Sequence, residues 1–185
     1  MNTNRTTITT TIGYMAWALA FWMISMPHAL WLSDKLFAPA VNMEYPLAIL
    51  LFVMGILAFL QDQTLDSIVF FGGGGLLWVA QLAIAGSAMG AASYFGWFYF
   101  IWAVFLAYVW VGSFSGGFTG IVRMLFLLGA WLTLLALAIG SWASLGGFVV
   151  LGGYIGLVTA ILAGIVSASS VIAHGLRGAA PTTAS

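Results

Sequence analysis

Residues 120–173 read GIVRMLFLLGAWLTLLALAIGSWASLGGFVVLGGYIGLVTAILAGIVSASSVIA. One charged side chain, Arg123, interrupts that run, and it stands close to its start. A helix needs roughly twenty apolar residues to cross about 30 Å of hydrocarbon. The stretch therefore holds two crossings. One runs from Gly120 to Gly140 and the other reaches Ala173, with residues 141–147 as a short connector.

Working back toward the amino terminus, the same reading gives helices over Tyr94–Phe114, Ser67–Met89, Pro46–Leu60 and Ile12–Leu32. Pro46 falls in the first turn of its helix, where a missing N–H costs nothing. Only 4% of the 185 residues are charged, 63% are hydrophobic, and all eight charges lie outside or at the edges of these stretches. The mean hydropathy is +1.14. The expected fold class is an all-α integral membrane protein, a bundle of six transmembrane helices set in the lipid bilayer. It forms one domain over residues 1–185, with a polar tail over 1–11 and a short tail over 174–185. An even number of crossings puts both termini on one side. That side collects Arg5, Arg123 and Arg177 against Lys35 on the other. The positive-inside rule then makes it the cytoplasmic side of an inner membrane.

The composition removes several function classes. With no cysteine there is no disulfide, thiolate metal site, iron–sulfur cluster or cysteine nucleophile. Zero net charge gives no footprint for nucleic acid. No Walker loop, dinucleotide fingerprint or hydrolytic triad is present, so the reading is not an enzyme and calls for no cofactor. The run Gly72-Gly73-Gly74-Gly75 has no lysine after it and is no phosphate cradle. His28 and His174 fall at opposite ends of the bundle, which excludes one haem held by both within a single subunit. No charged residue is expected at mid-depth, where ion-coupled pumps commonly carry one. That pattern fits a passive conduit, a carrier that uses hydroxyls and backbone dipoles, or a protein that moves nothing.

Glycine and tryptophan shape what remains. Gly86 and Gly90, Gly112 and Gly116, and Gly152 and Gly156 are each four apart, the spacing that lets helix backbones approach in lipid. Four consecutive glycines at 72–75 cost about 1 kcal/mol each in helix propensity relative to alanine. They announce a break, a close crossing or a wide channel wall. Trp31, Trp97 and Trp142 fall near helix ends, as an interfacial belt requires. Trp17, Trp22, Trp78, Trp102, Trp110 and Trp131 lie deeper and fill a core, face lipid or a neighbour, or line a passage. His28 follows Pro27, which frees a backbone carbonyl. It is either an interfacial residue bonded to that loosened backbone or a polar group at a pore mouth.

From helix two onward the chain resembles the acetate and succinate permease family, the small six-helix acetate uptake transporters. The stretch GWFYFIWAVFLAYVWVGSF carries the best match, with Gly96, Trp102, Val104, Phe105 and Gly112 in the family pattern. GGYIGLVTAILAG at 152–164, Ala138-Ile139-Gly140-Ser141 and Gln63-Thr64 carry the rest. The resemblance implies a hexamer with one pore per subunit, conducting short monocarboxylates. It places the narrowest point at Ala18, Gly73 and Ala130, with Trp17 or Trp131 next door able to fill the space. Several family polar positions are replaced: the signature before helix one is missing, and Leu51, Ser170 and Ala173-His174 stand where the family has Gln, Glu and Asn-Glu.

Two readings follow. The first is a channel or carrier for a small monocarboxylate or another small weakly acidic or neutral metabolite. Its path would be lined by Trp17, Ala18, Ser25, His28, Gly72, Gly73, Gly74, Ala130, Trp131 and Ser170, with Ser67 as a further donor. The second is a structural or accessory subunit, partnered by other membrane polypeptides, that keeps the scaffold without transport.

Overall fold

The computed structural model describes residues 3–31, 42–85, 92–114 and 118–178, with side chains over 7–31, 42–82, 94–114 and 120–172. Six helices make up these segments: α1 (Thr3–His28), α2 (Glu44–Phe59), α3 (Thr64–Ala85), α4 (Ala92–Gly112), α5 (Phe118–Ala143) and α6 (Gly146–Gly178). Five of them are long and apolar enough to cross a membrane, and α2, at 16 residues, is shorter. The protein is a multi-pass integral membrane protein.

Although short, α2 runs the height of the bundle. At its start, Glu44 shares a cavity with His28, at the end of α1. Just past its end, the Gln61 amide donates to Thr9 Oγ1, near the beginning of α1, at 2.9 Å. Polar residues of the following turn thus complete a span that apolar residues alone leave incomplete.

The helices form a closed up-and-down ring in chain order, with α6 returning to pack along α1. Ser167 Oγ of α6 donates to the carbonyl of Thr11 at 2.8 Å, while Gly153 lies against the backbone of His28 and Ala29. Hence α1 begins and α6 ends at the same end of the bundle, called here the amino-terminal end. Seams between neighbours are set by small residues, as expected where lipid supplies no hydrophobic drive for helix association. Gly152 meets Leu137, and Gly156 meets Ser25 and Thr133. Of the other spaced glycine pairs, Gly86, Gly90 and Gly116 lie outside the described residues, and Gly112 faces open space.

Helix ends differ from the expected positions for a physical reason. The first helix starts well before Ile12, because Thr9 and Thr10 are buried and bonded rather than forming a free tail. It stops at His28 instead of Leu32. Trp31 N–H donates to Met26 C=O and Leu30 N–H to Pro27 C=O, with Leu30 at φ 60°. That is a Schellman cap, with a leucine in the left-handed position that glycine normally fills. The same closure recurs after α2, with Asp62 at φ 58°, and after α5, with Ser144 at φ 52°. The expected connector at 141–147 shrinks to Ser144 and Leu145 between two helices.

Candidate functional site

Along α1, positions 10, 14, 17, 21, 24 and 28 recur at helical spacing and share one face, which looks into the ring. Read from the amino-terminal end, they pass through three different environments.

The first is a polar cluster. The Asp66 carboxylate, 3% exposed, accepts from Thr10 Oγ1 at 3.2 Å and from the Tyr14 hydroxyl at 3.0 Å. Arg123 Nη1 lies 3.4 Å from the same carboxylate. The guanidinium carbon sits 5.6 Å from the centre of the Tyr14 ring, within cation–π range. Gln63 donates to Thr10 Oγ1 at 3.4 Å. Three helices, α1, α3 and α5, are tied together at this one carboxylate.

The second environment is aromatic and closed. Tyr14, Trp17, Phe21, Phe70 and Phe126 are all fully buried. Trp17 stacks on Phe21 with centroids 5.2 Å apart, and Phe126 meets Trp17, Phe21 and Tyr14 edge-on at 5.6 to 6.1 Å. Phe70 closes the group against Tyr14 at 5.3 Å. These rings reach from α1 to α5 across the middle of the ring of helices. The Trp17 indole N–H donates to the Val69 carbonyl at 3.3 Å, and its six-membered ring lies where a side chain on Gly73 would be.

Beyond this plug, the third environment is a cavity of about 50 Å³. Its polar groups are His28, Glu44 and Tyr99; Ile24, Leu77, Phe95, Phe98 and Leu134 supply apolar walls. Glu44, 4% exposed, accepts one hydrogen bond, from Gln81 at 3.1 Å, and meets no cation among the described residues. His28 Nδ1 lies 2.7 Å from the Ile24 carbonyl. A carbonyl only accepts, so Nδ1 carries the proton and Nε2 keeps a lone pair in the neutral ring. A carboxylate in the wall disfavours an anion and accepts from an amide or a protonated acid.

The residues expected to line a path divide sharply. Trp17, Gly73 and Ala130 are buried in the core, and His28 lines the cavity. Ala18 is half-buried beside Trp17, which takes the inward position. Gly72 and Gly74 instead lie on helix–helix seams. A Cβ on Gly72 would strike Phe105 of α4, and one on Gly74 would meet Ala48 and Phe52 of α2. Gly75 faces Trp102 at 3.0 Å. Since α3 is continuous through all four glycines, the break and the wide wall are both excluded and the close crossing is what forms.

The remaining candidates point elsewhere. Trp131 packs on Trp110 of α4 at 6.1 Å, away from Trp17. Ser25 is wedged against Gly156 with no hydrogen-bond partner among the described residues. Ser67 Oγ is spent on the Gly55 carbonyl and Ser170 Oγ on the Val166 carbonyl. Asp66, Glu44 and Arg123 were the residues that the sequence hid. Each sits within two turns of a helix start, where a charge reads as part of a solvated connector. Nothing in the local sequence says that all three turn inward. The tryptophans near helix ends are exposed and clustered: Trp97 meets Trp142 at 5.0 Å and Trp31 meets Tyr154 at 6.4 Å.

No family model and no curated protein matches the chain. Among solved structures, the bacterial acetate channel SatP aligns over 91% of this chain and 94% of its own, with a TM-score of 0.83 and 16% identity. The two share the fold.

Proposed function

We propose that the chain is a divergent member of the acetate and succinate permease family, and that it is a channel or carrier for a small monocarboxylate such as acetate, or another small weakly acidic or neutral metabolite. The observation that carries this reading is the succession along one face of α1: polar cluster, aromatic plug, cavity. A solute path through each protomer needs those three parts, two polar mouths and a narrow apolar constriction. The likeness in fold to an acetate channel supports it. On this reading Trp17 is the gate, the cavity at His28 and Glu44 is one vestibule, and the cluster at Asp66 and Arg123 is the other. The amino-terminal end faces the cytoplasm, and protomers assemble as a hexamer in the inner membrane.

The packed middle also favours a second reading, a structural subunit in a larger membrane assembly, because Trp17 leaves no open bore. Uptake of labelled acetate, lactate and urea into proteoliposomes separates the two. Flux above that of empty vesicles for any of the three supports the channel. None, with correctly assembled protein, sinks it and leaves the subunit.

A further inference from the structure

We propose that Arg123 is a carboxylate-binding residue at the amino-terminal mouth, with Asp66 holding its guanidinium until a solute carboxylate takes it over. This rests on the reading above, that the solute is a small monocarboxylate. Arg123 is the one cation among the described side chains. Its guanidinium is poorly satisfied: the contact to Asp66 is single and, at 3.4 Å, longer than the roughly 2.7–2.9 Å of a charge-assisted hydrogen bond. Its Nε–H is buried without a partner among the described residues. A guanidinium offers five N–H donors in a fork that fits a carboxylate with two parallel bonds. Asp66 does not supply that grip in this geometry: its contact to the guanidinium is single, and its two oxygens also accept from Tyr14 and Thr10. A free carboxylate can. The Arg123 side chain is 19% exposed, and the Tyr14 ring beside it would keep the charge in place while partners change. Since Tyr14 also packs on Phe70 and Phe126, release of Asp66 would be felt directly by the plug.

The test pairs binding with transport. Carbon-13 acetate line broadening measures binding to the purified protein in nanodiscs, with acetamide as the neutral isostere. Wild type is expected to bind acetate over acetamide. Asp66→Asn, which weakens the competitor, is expected to tighten acetate binding. Arg123→Gln is expected to lose binding by about tenfold or more, the worth of one charged hydrogen bond. If that variant misfolds, Arg123→Gln with Asp66→Asn removes both charges together and is expected to show the same loss. Acetate binding by the double variant equal to wild type, weaker binding by Asp66→Asn, or no binding by folded wild type would each overturn the proposal. Acetate and acetamide flux in proteoliposomes is scored separately. Binding without flux for either solute discards the passage and leaves the Arg123 site standing.

Discussion

The indole of Trp17 occupies the volume that any side chain at Gly73 would need, so these two residues on α1 and α3 form one complementary unit. Gly73→Ala is therefore expected to displace the ring and lower the melting temperature in detergent. Trp17→Ala should cost about 3–5 kcal/mol, the range for large aromatic truncations in packed cores. It should also raise solute flux if the plug is the barrier. Combining Gly73→Ala with Trp17→Phe should recover part of the loss, which a double-mutant cycle would read as coupling. Unchanged flux in a stably folded Trp17→Ala protein would show that the ring is packing alone.

At the amino-terminal mouth, Tyr14→Phe removes one of the two hydrogen bonds that the Asp66 carboxylate accepts. The expected cost is about 1.5–3 kcal/mol, the range for a bond to a charged group. Thr10→Val removes the other, at 3.2 Å, and should cost no more. A melting series in one detergent checks the ranking, and a neutral Tyr14→Phe would mean that Thr10 and Arg123 together satisfy the carboxylate.

In the cavity, Gln81 is the sole hydrogen-bond donor to Glu44 among the described residues. Gln81→Leu strands a buried carboxylate and should destabilise by about 1–3 kcal/mol or more. Glu44→Gln keeps a donor–acceptor pair and should fold normally. If solute passes here, Glu44→Gln should shift the ratio of acetate to urea uptake in favour of acetate, because a repelling charge has gone. An unaltered ratio would place the path elsewhere.

Ser25 offers the sharpest separation of packing from chemistry. Its hydroxyl has no partner, so Ser25→Ala should be neutral or mildly stabilising and should leave transport intact. Gly156→Ala should clash with that hydroxyl and destabilise. The two substitutions together should be better tolerated than Gly156→Ala alone.

Much of the fold was legible because membrane spans are long and monotonous. The six helices could be counted from apolar length, and Trp31, Trp97 and Trp142, placed near the span ends by the sequence, are exposed in the structure. Resemblance singled out Gly73, and the structure packs it against the neighbouring candidate Trp17. Direction around a helix was not legible. Nearly every residue of α3 and α5 is apolar, so periodicity cannot say that Gly72, Gly73 and Gly74 face three different neighbours, nor that Trp131 turns toward Trp110 rather than Trp17. Charges at helix starts posed the converse problem. Glu44 and Asp66 sit in polar surroundings in the sequence, and their burial depends on Gln81 and Tyr14, tens of residues away in the chain.

Gly72, Gly73, Gly74 and Gly75 fit α3 against α4, α1, α2 and α4 in turn. Such a shaft cannot slide or roll by one residue without driving a bulkier neighbour into a ring. On the channel reading, the motion that admits a solute is expected in the side chains, chiefly the indole, rather than in a slide or roll of this helix.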